Sequence, residues 1–369
     1  MSNLAQQRVD SREIWGRYRS NLPRHCIGVS RHLQTHLMHA LHQQFGHTGL
    51  RLGFEPFIAL IGAGGARPGE LANLLCISKQ ACNQTINQIE RAGYLQRQPD
   101  PADGRARLVL LTDRGLQLRA QGAELIGRYE AECGQLLGSD RFDELMLLLR
   151  DLYEGLQLPS ASLSLGGAGS ETILAKSITA EPIRAGEIGA RLPRIADYMM
   201  RRLMQLTIAR GHPGLKMSFG QVLSLIGLEG GKVGQMARVQ QVSKQAISSV
   251  AAELEHLNYI ERHPDPADAR QQVLQFTTLG MQLLADSVQS VVQLELELSR
   301  LLGADRLSKL QRILADLYQG LHLEEEIFGP AADTTADLRL LAAQLVKQLG
   351  PENAASLASM LNPQQEFMK

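Results

Sequence analysis

Aromatic side chains make up only 4% of this chain, with one tryptophan among 369 residues. Sheet interiors favour aromatic and β-branched residues, so this scarcity, beside plentiful Leu, Ala, Gln and Arg, favours helix over sheet. Cysteine is sparse too: Cys26, Cys76, Cys82 and Cys133, with no Cys-x-x-Cys spacing. A secreted disulfide framework is not expected, and a reducing cytoplasm fits best. There is no run of about 18 apolar residues, so no membrane partner is expected. The first residues, MSNLAQQRVDSREIW, lack the basic-then-apolar order of a signal peptide. Net charge is absent as well, 38 basic residues against 38 acidic ones. A nucleic-acid site would therefore have to be local. Gly62-x-Gly64-x-x-Arg67 lacks the third glycine of a dinucleotide-binding turn, and no βαβ alternation follows. No nucleophile, base and orienter assemble, so neither an enzyme nor a cofactor is expected.

What the chain does have is a repetition. Residues 78–115 and 243–280 superimpose without a gap at an offset of 165, with 15 of 38 positions identical. Common residues at about 5–10% each would give roughly two by chance. The identical set includes Ser78-Lys79-Gln80-Ala81, Glu90, Tyr94, Arg97, Pro99 to Asp103, Arg105, Thr112 and Gly115. Two copies are too few for a solenoid and imply two domains of one kind, facing each other like halves of a dimer. The expected boundaries are 1–158 for the first domain, 159–191 for a linker with one short helix, 192–323 for the second domain and 324–369 for a helical extension.

Within one copy, Leu22-Pro23-Arg24 opens a long helical pattern, with Leu33, Leu37, Leu41 and Phe45 on one face; Leu192-Pro193-Arg194 opens its counterpart. An apolar segment, Phe57 to Ile61 or Val222 to Ile226, ends in glycines. A short helix, Gly69 to Leu75, turns at Cys76-Ile77 into Ser78, a good N-cap. The helix from Lys79 to about Arg91 turns Cys82, Thr85, Ile86 and Ile89 inward. A hairpin follows: Tyr94 to Gln98, the turn Pro99 to Gly104, then Arg107 to Thr112. Long helices are expected from about Thr112 toward Arg128 and from Asp140 to Leu156.

Helix-turn-helix, an Asp-Pro-x-Asp-x-Arg hairpin and a Leu-Thr-x-x-Gly start to long helices together resemble the MarR family of winged-helix regulators. The carrying residues are Ser78 to Glu90, Asp100 to Arg105 and Leu111 to Gly115. In the second copy they are Ser243 to Glu255, Asp265 to Arg270 and Phe276 to Gly280. The resemblance implies a mainly α fold with small β wings: tandem winged-helix domains forming an intramolecular pseudo-dimer through a helical dimerisation region. Double-stranded DNA is the implied partner, with transcriptional regulation as the implied function. Family members are usually single-domain homodimers, and this chain departs from them by fusing two copies.

On that reading, Ser78, Lys79, Gln80, Asn83, Gln84 and Asn87 form the first reading face. Gln and Asn can bond adenine bidentately, and Lys can serve phosphate or guanine. The second face, Ser243, Lys244, Gln245, Ser248 and Ser249, is shorter. Wing residues Arg105 and Arg107, against Arg270 alone, suit a narrow minor groove. The resemblance makes Asp103 and Asp268 the orienters of Arg105 and Arg270. Residues 67–119 carry eight basic and five acidic side chains, a local excess of three. Unequal heads imply an asymmetric operator.

Other signals carry less. His32, His36 and His39 line one helical stripe and could ligate a metal; a polar helix face is the plainer account. Cys26, beside Arg24 and His25, could be a redox thiol or a core residue. Family resemblance also gives a place for a small aromatic effector between reading head and dimer helices, which these residues neither require nor forbid. The competing reading is a protein-interaction or metal/redox sensor module of the same fold that has lost DNA binding, favoured by zero net charge and the poor second head.

Overall fold

A computed structural model describes residues 2–158 and 187–328, apart from Ala63, Cys76, Ala102, Gln241, Pro266 and Ala267. The expected linker helix and the helical patterns around 338–349 and 352–361 lie outside the described residues.

The order of elements follows the repetition. Helix α1 (Ser2–Arg19) precedes it. The first copy then runs α2 (Leu22–Phe45), α3 (Glu55–Leu60), α4 (Pro68–Leu74), α5 (Lys79–Arg91), β1 (Leu95–Asp100), β2 (Asp103–Leu111), α6 (Asp113–Leu137) and α7 (Ser139–Gly155). The second runs α8 (Glu187–Ala209), α9 (Phe219–Ile226), β3 (Gly231–Lys232), α10 (Val233–Val239), α11 (Lys244–His256), β4 (Ile260–Asp265), β5 (Asp268–Phe276), α12 (Thr278–Leu302) and α13 (Ala304–Gly320). A short α14 (Leu323–Phe328) follows. The chain is thus mainly helical with small antiparallel sheets.

Local chemistry sets the helix starts. The Asn21 side chain accepts from Arg24 N at 3.0 Å and Pro23 sits in the first turn, so α2 begins where Leu22-Pro23-Arg24 led us to expect. Helix α8, described from Glu187, already covers residues inside the span expected as linker and holds Pro193 within it. Helix α6 runs to Leu137, well past Arg128, because Leu125, Tyr129, Cys133 and Leu137 continue its buried stripe.

The Thr-x-x-Gly motif is explained by two contacts. Thr112 Oγ1 accepts from Gly115 N at 3.1 Å and donates to Gly93 O at 2.7 Å, tying the start of α6 to the end of α5. A Cβ on Gly115 would lie 2.2 Å from Tyr94 O, so only glycine lets helix and strand approach this closely. Thr277 and Gly280 repeat both features.

Among the described residues there are three hydrophobic cores. One lies in each helix-and-hairpin unit, or head: Phe57, Ile61, Leu71, Cys82, Ile86, Ile89 and Tyr94 in the first; Phe219, Ile226, Met236, Ile247, Leu254 and Tyr259 in the second. The third is shared between the copies and draws on α2, α6, α7, α8, α12 and α13, with Leu33, Leu149, Leu192, Leu298 and Leu314 among its buried residues. Each fully buried leucine contributes about 1.5–3 kcal/mol, so this shared layer dominates the contact between halves. Helix α2 serves two cores, Leu22 to Leu33 in the shared one and Leu41 in the first head.

Contacts across the shared layer come in reciprocal pairs under the offset of 165. Arg141 pairs with Asp316, and Asp151 with Arg306. Glu144 meets its own counterpart Lys309 at 2.8 Å. Gly155 packs on Leu301, and Gly320 on Leu136. Residue i meeting j while j meets i is the signature of an isologous contact. The ion pairs are exposed and contribute little, at most ~1 kcal/mol each.

Candidate nucleic-acid interface

Serine starts both α5 and α11. Ser78 Oγ accepts from Ala81 N and Ser243 Oγ from Ala246 N, each at 3.1 Å. Each hydroxyl caps its helix and keeps its own O–H as a donor. Cys82, Ile86 and Ile89 are buried beneath α5, and Ile247, Ala251 and Leu254 beneath α11. Thr85 is only half-buried and bonds back to Ala81 O. Lys79, Gln80, Asn83, Gln84 and Asn87 stay exposed, as do Lys244, Gln245 and Ser249; Ser248 is half-buried.

The faces are not all free. Asn83 donates to Lys79 O at 3.0 Å, within its own helix. Asn87 accepts from Arg97 at 2.7 Å, and the same guanidinium pairs with Glu90. Arg97 thus fastens strand β1 to the outer edge of α5. Arg262 does the same to α11, pairing with Glu255 at 3.0 Å and donating to Ser248 O. Gln84 is exposed at the centre of α5.

A second brace holds each wing. Arg67 Nε donates to the buried Asp100 at 2.7 Å, and Lys232 pairs with the buried Asp265 at 2.5 Å. These sites are again 165 apart. The first brace joins α4 to the hairpin tip, where Asp100 faces Asp103 across the turn. A backbone bridge between Ala66 and Val109 lies beside it, and its equivalent in the second copy is the short strand β3 against β5. These partners were visible only as repeated identities or as terms in a charge sum. The braces consume part of the expected cationic excess, since Arg67 and Arg97 are both neutralised. Arg107 and Arg91 remain exposed, and their counterparts are Gln272 and His256. Asp103 is exposed, while the side chains of Arg105, Asp268 and Arg270 lie outside the described residues.

A buried histidine in each half links the hairpin to a long helix, and reading by motif missed it. The His47 ring packs on Tyr94 and its Nε2 meets Gln121 at 2.7 Å. His212 packs on Tyr259 and meets Asp286 at 2.9 Å. Extending the offset of 165 beyond the gapless block would have found the pair.

Two of the lesser signals change. Cys26 is fully buried, and burial pushes its thiol up to about 12. Desolvation, and not the charge of neighbouring Arg24 and His25, sets the direction of this shift. His32 and His36 both lie against the Tyr129 ring, and His39 is exposed. Among the described residues no group of three or more His, Cys, Asp or Glu side chains is placed to hold a metal ion.

A cavity of about 230 Å³ opens between α2 of the first copy and the second reading head. Its walls are apolar, including Ile27, Met200, Leu203, Phe219 and Leu223, and Arg24 and Arg31 enter from α2. Arg24 donates to Ser224 at 3.1 Å. Burial and the Arg24 guanidinium lower the pKa of Arg31. Among the described residues no carboxylate lines the cavity, and no helix is long and apolar enough to cross a membrane.

A search of the curated proteins returned no match. Among solved structures, the chain is similar to wild-type MarR in its apo form from E. coli, at 23% identity, covering 37% of this chain and 98% of that one, with a TM-score of 0.32. It is also similar to a transcriptional regulator from Thermotoga maritima, at 20% identity over 36% and 91% of the two chains, TM-score 0.30. A third is a mutant MarR from E. coli complexed with operator DNA, at 21% identity over 35% and 92%, TM-score 0.29. The MarR family model matches this chain twice, over residues 57–106 and 214–271. In each half, then, the stretch that carries the short helix, the turn, the reading helix and the wing is the stretch that matches the MarR family.

Proposed function

We propose that this chain is a sequence-specific regulator of transcription that reads one DNA duplex with both of its halves. One observation carries the reading: each half presents an exposed, serine-capped helix locked to a braced hairpin by the same set of partners. Arg97 with Glu90 and Arg67 with Asp100 recur as Arg262 with Glu255 and Lys232 with Asp265. A solvated helix face needs no such brace, whereas groove reading needs helix and wing held in fixed relation. Helices α5 and α11 enter the major groove. Lys79 and Lys244 contact phosphate, Gln84 reads a base edge, and Arg107 lies with Arg105 at the minor groove, as does Arg270 in the second half.

The reciprocal contacts of the shared core support an intramolecular pseudo-dimer, the two heads set for half-sites about one helical turn apart. The cavity beside the second head supports control by a small ligand. An apolar recess with convergent cations suits an aromatic anion, and its walls belong to both the dimer helices and the head. A ligand there biases the spacing of the heads. The reading is of a binder and not an enzyme.

The test is retention of sheared genomic DNA by the purified protein at physiological salt, followed by sequencing. One enriched motif with unequal halves is expected. Retention without sequence preference would reject the reading and favour an interaction module.

A further inference from the structure

The two wings are braced alike, but the first brace holds one side chain more than the second. In both halves a strand arginine pairs with a glutamate near the end of the reading helix: Arg97 with Glu90, and Arg262 with Glu255. A second guanidinium nitrogen goes to a different partner in each half. Arg262 gives it to a backbone carbonyl, Ser248 O, at 3.2 Å. Arg97 gives it to a side chain, Asn87 Oδ1, at 2.7 Å. The residue matching Asn87 in the second half is Ala252, which has no side-chain acceptor to offer. Bracing therefore does not need Asn87, so the contact serves something besides the brace.

Gln80, Asn83, Gln84 and Asn87 follow at i, i+3, i+4 and i+7 and share the outward stripe of α5. All four are exposed. On such a stripe an asparagine free to turn its amide suits adenine, accepting from N6–H with its oxygen and donating to N7. Asn87 is not free to turn. A guanidinium has donors and no acceptor, so the amide end that faces Arg97 must be the oxygen, and the nitrogen faces away. The oxygen keeps a second lone pair, but a base amino group reaching for it meets the N–H groups of Arg97, donor against donor. The free end is the NH2, which only donates. Asn83, one turn earlier, is held the opposite way: its NH2 donates to Lys79 O at 3.0 Å, and its oxygen is the free end.

We infer that Arg97 is a positioning residue for base recognition: by holding the Asn87 oxygen it makes Asn87 a donor-only reader, which selects a keto base, guanine through O6 and N7 or thymine through O4, over the bidentate adenine contact open to a free asparagine. Adenine and cytosine place an amino donor in the major groove where the keto bases place an oxygen, so they set donor against donor at the Asn87 NH2. The second half has no equivalent reader, because Arg262 meets backbone and position 252 is alanine. The inference rests on the regulator reading, with α5 in the major groove.

Selection of DNA by the full chain from duplexes with a randomised segment, followed by sequencing, compares wild type, Asn87→Ala and Arg97→Lys. Asn87→Ala should erase the preference at one position of one half-site and leave the other positions as they were. At that position wild type should carry guanine or thymine, about tenfold over adenine. Lysine keeps a charge for Glu90 but lacks the fork that reaches two acceptors at once, so Arg97→Lys should admit adenine there and change no other position. A merely structural brace would instead weaken retention without moving the base preference. Adenine or cytosine at that position in wild type, a motif unchanged by Asn87→Ala, or a motif unchanged by Arg97→Lys would each overturn the inference and leave the regulator reading standing. If Arg97→Lys retains no DNA, the wild-type base and the Asn87→Ala motif decide between the same outcomes. The absence of any wild-type motif would overturn the regulator reading and this inference with it.

Discussion

At the scale of single residues, position relative to the braces decides what a side chain does. Arg67 and Arg97 are spent on holding the wing and the reading helix, whereas Arg107 is exposed on β2. Arg107→Gln should weaken DNA binding across sequences and lower the salt dependence of log K by about 0.9, the signature of one lost phosphate contact. A salt titration reads this directly, and an unchanged slope would remove Arg107 from the interface. His25 makes a different prediction. It is buried against the Tyr318 ring, and burial, aided by Arg24, lowers its pKa to about 4. A folded-state value below the unfolded one gives stability that is complete above about pH 6.5 and is lost as pH falls toward 4. Between pH 7 and pH 5 this single group should cost about 2 kcal/mol of stability. Urea unfolding at both pH values should show that loss in wild type, reduced by about this amount in His25→Phe.

At the scale of elements, the sequence was most legible where chemistry is local. Serine caps, Thr-x-x-Gly and the turn-rich hairpin mark their own places, and the reading helix turns inward the apolar residues its spacing names. What stayed hidden is tertiary. Helix α8 already runs before the Leu-Pro-Arg motif, where Ile188 joins Leu192 in the shared core. Among the described residues helix α1 has no repeat partner. Its Trp15 packs near Phe276 and its Arg19 pairs with Glu324, contacts far along the chain that no spacing rule reaches. The brace of Arg67 with Asp100 joins residues 33 apart, and in sequence shows only as an aspartate repeated at 265 and a basic residue at 232. The difference between reading helices is an element-scale property. Placing Asn, Gln and Asn at Ser248, Ser249 and Ala252 gives α11 the outward set of α5. DNA selected by this variant should have two matching half-sites, while wild type selects unequal ones. Selection of the same motif by both proteins would show that α11 does not read bases.

At the scale of the whole molecule, repetition set the architecture and divergence gives it direction. The shared core is laid out reciprocally, down to Glu144 meeting Lys309. The faces outside it are not equal: one head carries Arg91, Gln84 and Arg107 where the other has His256, Ser249 and Gln272. Two unlinked chains of one sequence cannot differ in this way, while two halves of one chain can. The central claim is therefore that a single chain supplies both reading heads to a single operator. The most direct measurement is the mass of the complex formed with the shortest duplex that carries the selected motif. The account predicts one chain per duplex, with both half-sites protected. A complex with two chains per duplex, each protecting one half-site, would contradict it.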